Sequence, residues 1–140
     1  METKMKQTTF FLLALFALFA SACSGGNTSL EGAWTLNSYG HAANPTPALP
    51  GIETSITFDA DGKFGGTVGC NTFGGDYKIN GDKATFSGAF STMMYCQETD
   101  EQERAVLSLI SEQTMTFSVS GNQLTLTSED GASVIILTKK

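Results

Sequence analysis

Apolar residues recur at every second position along most of the chain, in short runs broken by turn residues. Trp34 and Leu36 share one face of a first strand that starts at Gly32. Ile56 and Phe58 alternate with Thr57, and Phe64 and Val68 fall on one face of the Gly-rich run Lys63 to Val68. Tyr77 and Ile79 pair in the same way, and Ala84, Phe86, Gly88 and Phe90 continue on one face of the next run. Met115, Phe117 and Val119, then Leu124 and Leu126, alternate with Thr and Ser. This period of two predicts half-buried strands. Ser133 to Thr138 loses the alternation, which predicts burial on both faces under a helix. Asp59-Ala60-Asp61-Gly62, Asn80-Gly81, Gly121-Asn122 and Glu129-Asp130-Gly131 supply the turns, and Asn-Gly suits a tight hairpin.

One segment has a different period. Ala105, Val106, Leu109, Ile110 and Gln113 recur at helical spacing and predict an amphipathic helix over about residues 100–113. Thr99-Asp100-Glu101-Gln102 reads as its N-cap with a capping-box partner, and the acids of the first turn suit the helix dipole. Tyr39 to Thr54 holds Pro45, Pro47 and Pro50, all the prolines of the chain, and reads as one long irregular loop. The expected fold class is mainly β. About eight antiparallel strands form a closed or partly open barrel with the helix packed on it, since closure removes exposed edges.

The N-terminus is an address. Lys4 and Lys6 precede the apolar run Phe10 to Ala20, and Ala20-Ser21-Ala22 places small residues before Cys23. This reads as a signal peptide over residues 1–22. Ala-Ser-Ala-Cys resembles the lipobox of bacterial lipoproteins. That resemblance implies cleavage before Cys23, acylation of Cys23, and an exported protein held to membrane lipid in the cell envelope, facing the periplasm or on the outer membrane. An ordinary cut at the same bond, leaving a free thiol, is the competing reading. Several acyl chains anchor far more firmly than one, at about 0.8 kcal/mol per buried CH₂. Residues 23–29 are small, polar and Gly-rich and read as a flexible tether, leaving 30–140 as one domain.

Composition narrows the chemistry. Hydrophobic residues make up 41% of the 140 and charged residues 16%, with a net charge of −6. An acidic chain with so few basic residues has no footprint for phosphate backbones, so no nucleic-acid partner is expected. A single His, His41, excludes multi-His metal sites, and neither a metal nor a cofactor is expected. His41 reads as a solvated loop residue, because a hydrolase built on it would need a nucleophile and an acid that the sequence does not place. Asp59 to Gly62 lacks the remaining ligands of a calcium loop and reads as a hairpin turn. Gly65-Gly66 and Gly74-Gly75 lack the strand-to-helix setting of a phosphate loop. In an exported, oxidising setting Cys70 and Cys96 are expected to form a disulfide, as no CxxC spacing or neighbouring His favours redox or metal chemistry.

Gly69-Cys70-Asn71-Thr72-Phe73-Gly74-Gly75-Asp76-Tyr77 is the most specific string in the chain. It resembles the GCNxFxGxY motif of the META domain, the family that includes the HslJ-type bacterial lipoproteins. Thr92-Met93-Met94-Tyr95-Cys96 is similar to that family's T-x-M-x-C element, and Glu103, Val106, Leu107 and Ile110 fit its following helix. The resemblance covers about Leu30 to Leu137 and marks Gly69, Cys70, Asn71, Phe73, Gly75, Tyr77, Thr92, Met94 and Cys96. It implies a compact β-barrel with one helix and a paired Cys. It also implies an envelope lipoprotein with a loose link to stress or antibiotic tolerance, and it does not imply an enzyme.

Met93-Met94-Tyr95 is expected to pack in the core beside the disulfide, with an adaptable binding patch as the alternative. Three functional readings follow: a non-enzymatic envelope lipoprotein with a binding or protective role in envelope stress and an unidentified envelope protein as its candidate partner, a lipocalin-like carrier of a small apolar molecule or lipid, and a hydrolase. An eight-stranded barrel is just wide enough for side chains or for one small ligand, so a filled interior argues against the carrier. The long loop Tyr39 to Thr54 is the first expected place for adaptable contacts.

Overall fold

The computed structural model describes residues 29–140, so the expected signal peptide, the expected acylation site Cys23 and nearly all of the expected tether lie outside the described residues. The chain forms β1 (Gly32–His41), β2 (Thr46–Pro47), β3 (Ser55–Phe58), β4 (Lys63–Thr67), β5 (Thr72–Asn80), β6 (Lys83–Ser91), α1 (Asp100–Ile110), β7 (Thr114–Ser120), β8 (Gln123–Ser128) and β9 (Ser133–Lys139). Each strand from β3 to β9 pairs with the next in antiparallel register, β1 pairs with β3, and β9 returns to β1 through Trp34↔Lys139 to His41↔Ser133. Eight strands thus close a barrel, as expected, and β2 is an extra strand on β1.

The extra strand corrects the reading of Tyr39 to Thr54 as purely irregular. β3 pairs with β1 only from Gly32 to Trp34, which leaves the rest of that edge open. The returning loop satisfies it. Leu36 N donates to Thr54 Oγ1 at 2.9 Å, Ala48 N donates to Asn37 O at 2.8 Å, and Thr46–Pro47 pairs with Ser38 and Tyr39. Backbone groups this close to a core need partners, so the loop is built into the fold.

The barrel interior is filled. Phe58, Phe64 and Phe86 form an aromatic cluster with Phe73 and Tyr77, with Phe64 edge-on to Phe86 at 5.2 Å and Tyr77 edge-on to Phe58 at 5.6 Å. Met115, Leu124, Leu126, Ile135 and Leu137 complete the cluster from the opposite wall. Trp34 closes one end, its Nε1 donating to Leu30 O at 2.8 Å and Lys139 Nζ lying 4.6 Å over the ring. Helix α1 packs on β1 and β9 at the other end, burying Val106 and Ile110.

Three local expectations differ. The helix ends at Ile110 rather than near 113, because Ser111 is extended and Glu112 takes a left-handed backbone (φ 55°). Thr99 is the N-cap residue but makes no side-chain cap bond, so the capping box is not formed. Its supposed partner Gln102 points inward instead. Gln102 Nε2 donates to Val68 O at 2.6 Å and its Oε1 accepts from Leu49 N at 2.8 Å, tying the long loop to the helix. Phe90 does not share a face with Ala84 and Phe86. Gly88 takes φ 60° in a bulge opposite Gly75, and the extra residue reverses the alternation beyond it. Ala89 therefore turns toward the core, while Phe90 faces outward over Gly74.

Gly66 pairs with Ile56 on one side and Phe73 on the other, with φ 151°. An added Cβ would press on the Ser55 carbonyl, 2.8 Å from its carbon. Gly66→Ala is expected to lower stability by about 2–3 kcal/mol, from backbone strain plus displacement of β3. Urea unfolding measures this, and a loss of less than about 0.5 kcal/mol, the range of ordinary surface substitutions, would contradict it.

Candidate functional site

Most of the marked residues gather at the helix end of the barrel and form two layers, while Phe73, Gly75 and Tyr77 run along β5 toward the opposite end. The inner layer is a hydrogen-bonded knot. Glu103 is only 6% exposed, although it lies in the acidic first turn of α1. Its Oε1 accepts from the backbone N–H of Cys70, from Asn71 N at 3.2 Å and from Thr99 Oγ1 at 2.8 Å. Its Oε2 accepts from Asn71 Nδ2 at 2.5 Å. Burial pushes the Glu103 carboxyl up, but these bonds, led by that from the Asn71 side chain, outweigh it and hold the group below its ordinary value. Every partner is a donor, so the site stabilises a carboxylate. Gly69 makes room for it: an added Cβ would meet Glu103 Oε1 and lie 2.7 Å from Thr99 Cβ.

Asn71 carries the knot outward. Its Oδ1 accepts from Thr92 Oγ1 at 2.7 Å and from Met94 N at 2.8 Å, while its Nδ2 donates to Met94 O at 2.9 Å. Thr92 Oγ1 also accepts from Thr72 N at 3.1 Å. The disulfide Cys70–Cys96, with Cα atoms 6.3 Å apart, joins the two strings covalently. Phe73, Gly75 and Tyr77 belong to the inward face of β5. Phe73 packs on Phe64, an added Cβ on Gly75 would lie 2.7 Å from the Phe64 ring, and Tyr77 Oη donates to Asp59 O at 2.6 Å. Burial pushes the Tyr77 phenol up, in keeping with a fixed neutral donor.

The outer layer corrects a further expectation. Met93, Met94 and Tyr95 do not pack in the core; they are 96%, 59% and 78% exposed, and Phe90 beside them is 64% exposed. Asn71 binds the backbone of this segment on both its N–H and C=O side, and the side chains are left to project. Met93, Met94 and Tyr95 form one wall of a shallow groove of about 340 Å³, with Arg104 and Leu107 of α1 on the other. A second open groove of about 460 Å³ runs past the disulfide between Ile52 and Glu98.

The other candidates lie elsewhere. His41 ends β1, where its Nδ1 accepts from Ala43 N at 3.3 Å. Asp59 to Gly62 makes a hairpin turn closed by Gly62 N to Asp59 O at 3.1 Å, with Asp61 Oδ1 accepting from Lys63 N. Among the described residues no group of three His, Cys, Asp or Glu side chains could hold a metal ion.

The roles of Glu103 and Gln102 were not read from the sequence. Both sit where helix-dipole and capping rules explain an acid and a Gln without tertiary contact. The available signal was position: they lie one helical turn before Val106, which with Ile110 faces the core.

The chain belongs to the META domain family, whose model matches residues 28–140. No curated protein matches it. Among solved structures it is similar to a protein from Burkholderia xenovorans determined by NMR, with 19% identity, a TM-score of 0.64, and 79% of this chain and 82% of that one covered. It is also similar to a DUF4847 family protein from Bacteroides vulgatus, with 18% identity, a TM-score of 0.60, and 79% and 93% covered. At such identities the two structures speak to the shared barrel fold.

Proposed function

We propose that this protein is a non-enzymatic, HslJ-type lipoprotein of the bacterial cell envelope, anchored to membrane lipid through acylated Cys23. Its META barrel is a rigid scaffold that presents Phe90, Met93, Met94 and Tyr95 to an envelope protein, in a protective role under envelope stress. The observation that carries this reading is the exposure of these side chains on a backbone that Asn71 pins in place. Aromatic and Met side chains are enriched at protein interfaces, and a pre-ordered backbone lowers the entropy lost on binding. The carrier reading has less support, because aromatic and aliphatic side chains occupy the barrel axis. The long loop is a weaker candidate than the patch, since its backbone covers the β1 edge and binds Gln102.

The test is complementation of a strain lacking the protein under envelope-damaging antibiotic. Wild type should restore survival, whereas Cys23→Ala and the double variant Met93→Ser/Tyr95→Ser should not. Cys23→Ala should also leave the membrane fraction or remain unprocessed. Full protection by both variants would overturn the proposal.

A further inference from the structure

The charges of the barrel are divided between its ends. At the end where β1 begins lie all five lysines of the described residues, Lys63, Lys78, Lys83, Lys139 and Lys140. Glu31, Asp59, Asp61, Asp76 and Asp82 share that half, so it is balanced; Lys63 pairs directly with Asp76, and Lys140 reaches Glu53, just before β3, at 3.8 Å. The helix end carries Glu98, Asp100, Glu101 and Glu112 around α1, with Glu129 and Asp130 on the β8–β9 turn. Its one base among the described residues, Arg104, is paired with Asp100. Glu103 is committed to the knot. The net negative charge therefore gathers at the end that holds the apolar segment.

The acids border that segment closely. Asp100 lines the groove with Met93, Met94 and Tyr95. Glu112 Oε1 accepts from Ala89 N at 3.1 Å, beside Phe90. Glu98 and Glu101 are exposed just outside this groove, Glu98 in the neighbouring groove beside the disulfide and Glu101 in the one along α1 with Arg104. An adaptable apolar wall at the end of the barrel where Glu98, Glu101 and Glu112 make no ion pair among the described residues selects for a ligand that is both apolar and cationic.

Building on the proposed scaffold role, we infer that the patch takes a cationic amphipathic polypeptide segment, with apolar side chains against Met93, Met94 and Tyr95 and Lys or Arg facing Glu98, Glu101 and Glu112. Charge argues against the other occupants. Anionic headgroups of a bilayer would meet the acidic rim, and a second copy across a two-fold axis would bring like charges together. The tether enters on the opposite side: it leads into Leu30, whose carbonyl is held by Trp34 at the balanced end. A membrane-held chain thus turns its acidic end away from the anchor.

The probe is a synthetic amphipathic helix of Leu and Lys, with a counterpart in which Glu replaces every Lys. The processed protein, carried in phosphatidylcholine nanodiscs, is labelled at its Met ε-methyl groups; buried Met115, 1% exposed, is the internal control. The Leu/Lys peptide should move the Met93 and Met94 signals and leave Met115 in place. Met93→Ser/Tyr95→Ser should weaken binding roughly tenfold or more. Glu98→Gln/Glu101→Gln should weaken it roughly threefold at low salt and less as salt rises.

Equal binding of the Leu/Glu counterpart would overturn the inference. So would movement of Met93 and Met94 in phosphatidylglycerol nanodiscs without peptide, which would make the bilayer the occupant, or on concentration alone, which would make it a second copy. If the Leu/Lys peptide fails while Met93→Ser/Tyr95→Ser still abolishes protection in cells, this inference fails and the scaffold role stands. If that variant protects fully, the scaffold role fails with it.

Discussion

Glu103→Ala is expected to destabilise the domain by about 3–5 kcal/mol. The substitution leaves the N–H groups of Cys70 and Asn71, the Asn71 carboxamide and the Thr99 hydroxyl without their shared acceptor. Glu103→Gln is expected to cost about 2–3 kcal/mol, because its amide turns one acceptor into a donor facing donors. Urea unfolding followed by Trp34, the only Trp and 1% exposed, reports both. The pH dependence has a definite sign. Glu103 titrates below its ordinary value of 4.5 in the folded state. Its contribution is therefore fully present above the ordinary carboxyl range and is lost as pH falls through the lowered folded value. Wild type should lose stability in mild acid more steeply than Glu103→Gln. Asp130 is also held low, first by the Ser128 hydroxyl and then by Ala132 N–H, but it is common to both proteins and cancels in the comparison. Parallel acid limbs in the two proteins would contradict the account.

Breaking the Cys70–Cys96 bridge should lower stability by roughly 3.5 kcal/mol, the chain-entropy cost of freeing a loop of this size. The sequence separation is 26 residues. Folded, oxidised protein should show neither thiol to a labelling reagent, and Cys70→Ala or Cys96→Ala should behave like reduced wild type. The bridge and Glu103 hold the same peptide: Cys70 is half of the disulfide and its N–H is a donor to the carboxylate. Their losses should therefore not add. A double-mutant cycle with Cys70→Ala and Glu103→Gln is expected to show a coupling of about 0.5–3 kcal/mol. Strict additivity would mean that the two ties act on separate parts of the fold.

Much of the barrel was legible from alternation. Eight strands, their antiparallel order, four turns and one helix follow from local pattern, because a pleated strand with one buried face must alternate. The closing register of β9 on β1 is not local. Neither is the bulge at Gly88: one added residue is invisible in the pattern Ala84, Phe86, Gly88, Phe90, yet it moves Phe90 from the inside to the outside. The motif itself was legible as a unit. Its division into a buried knot and an exposed segment was not, since Asn71, Thr92 and Met94 meet across more than 20 residues of chain.

The sequence by itself determined the strand and helix content, the pairing of the two cysteines within the domain and the family. Each depends on residue type at short spacing, or on the only two cysteines left after Cys23. Tertiary structure alone decided which polar side chains turn inward. Glu103 and Gln102 follow cap-like rules by position, but their partners are donors and acceptors supplied by the β4–β5 connection and the long loop. It also decided that Met93, Met94 and Tyr95 face solvent. Apolar residues beside a disulfide predict burial, whereas the Asn71 bonds to the Met94 backbone fix the segment with its side chains outside.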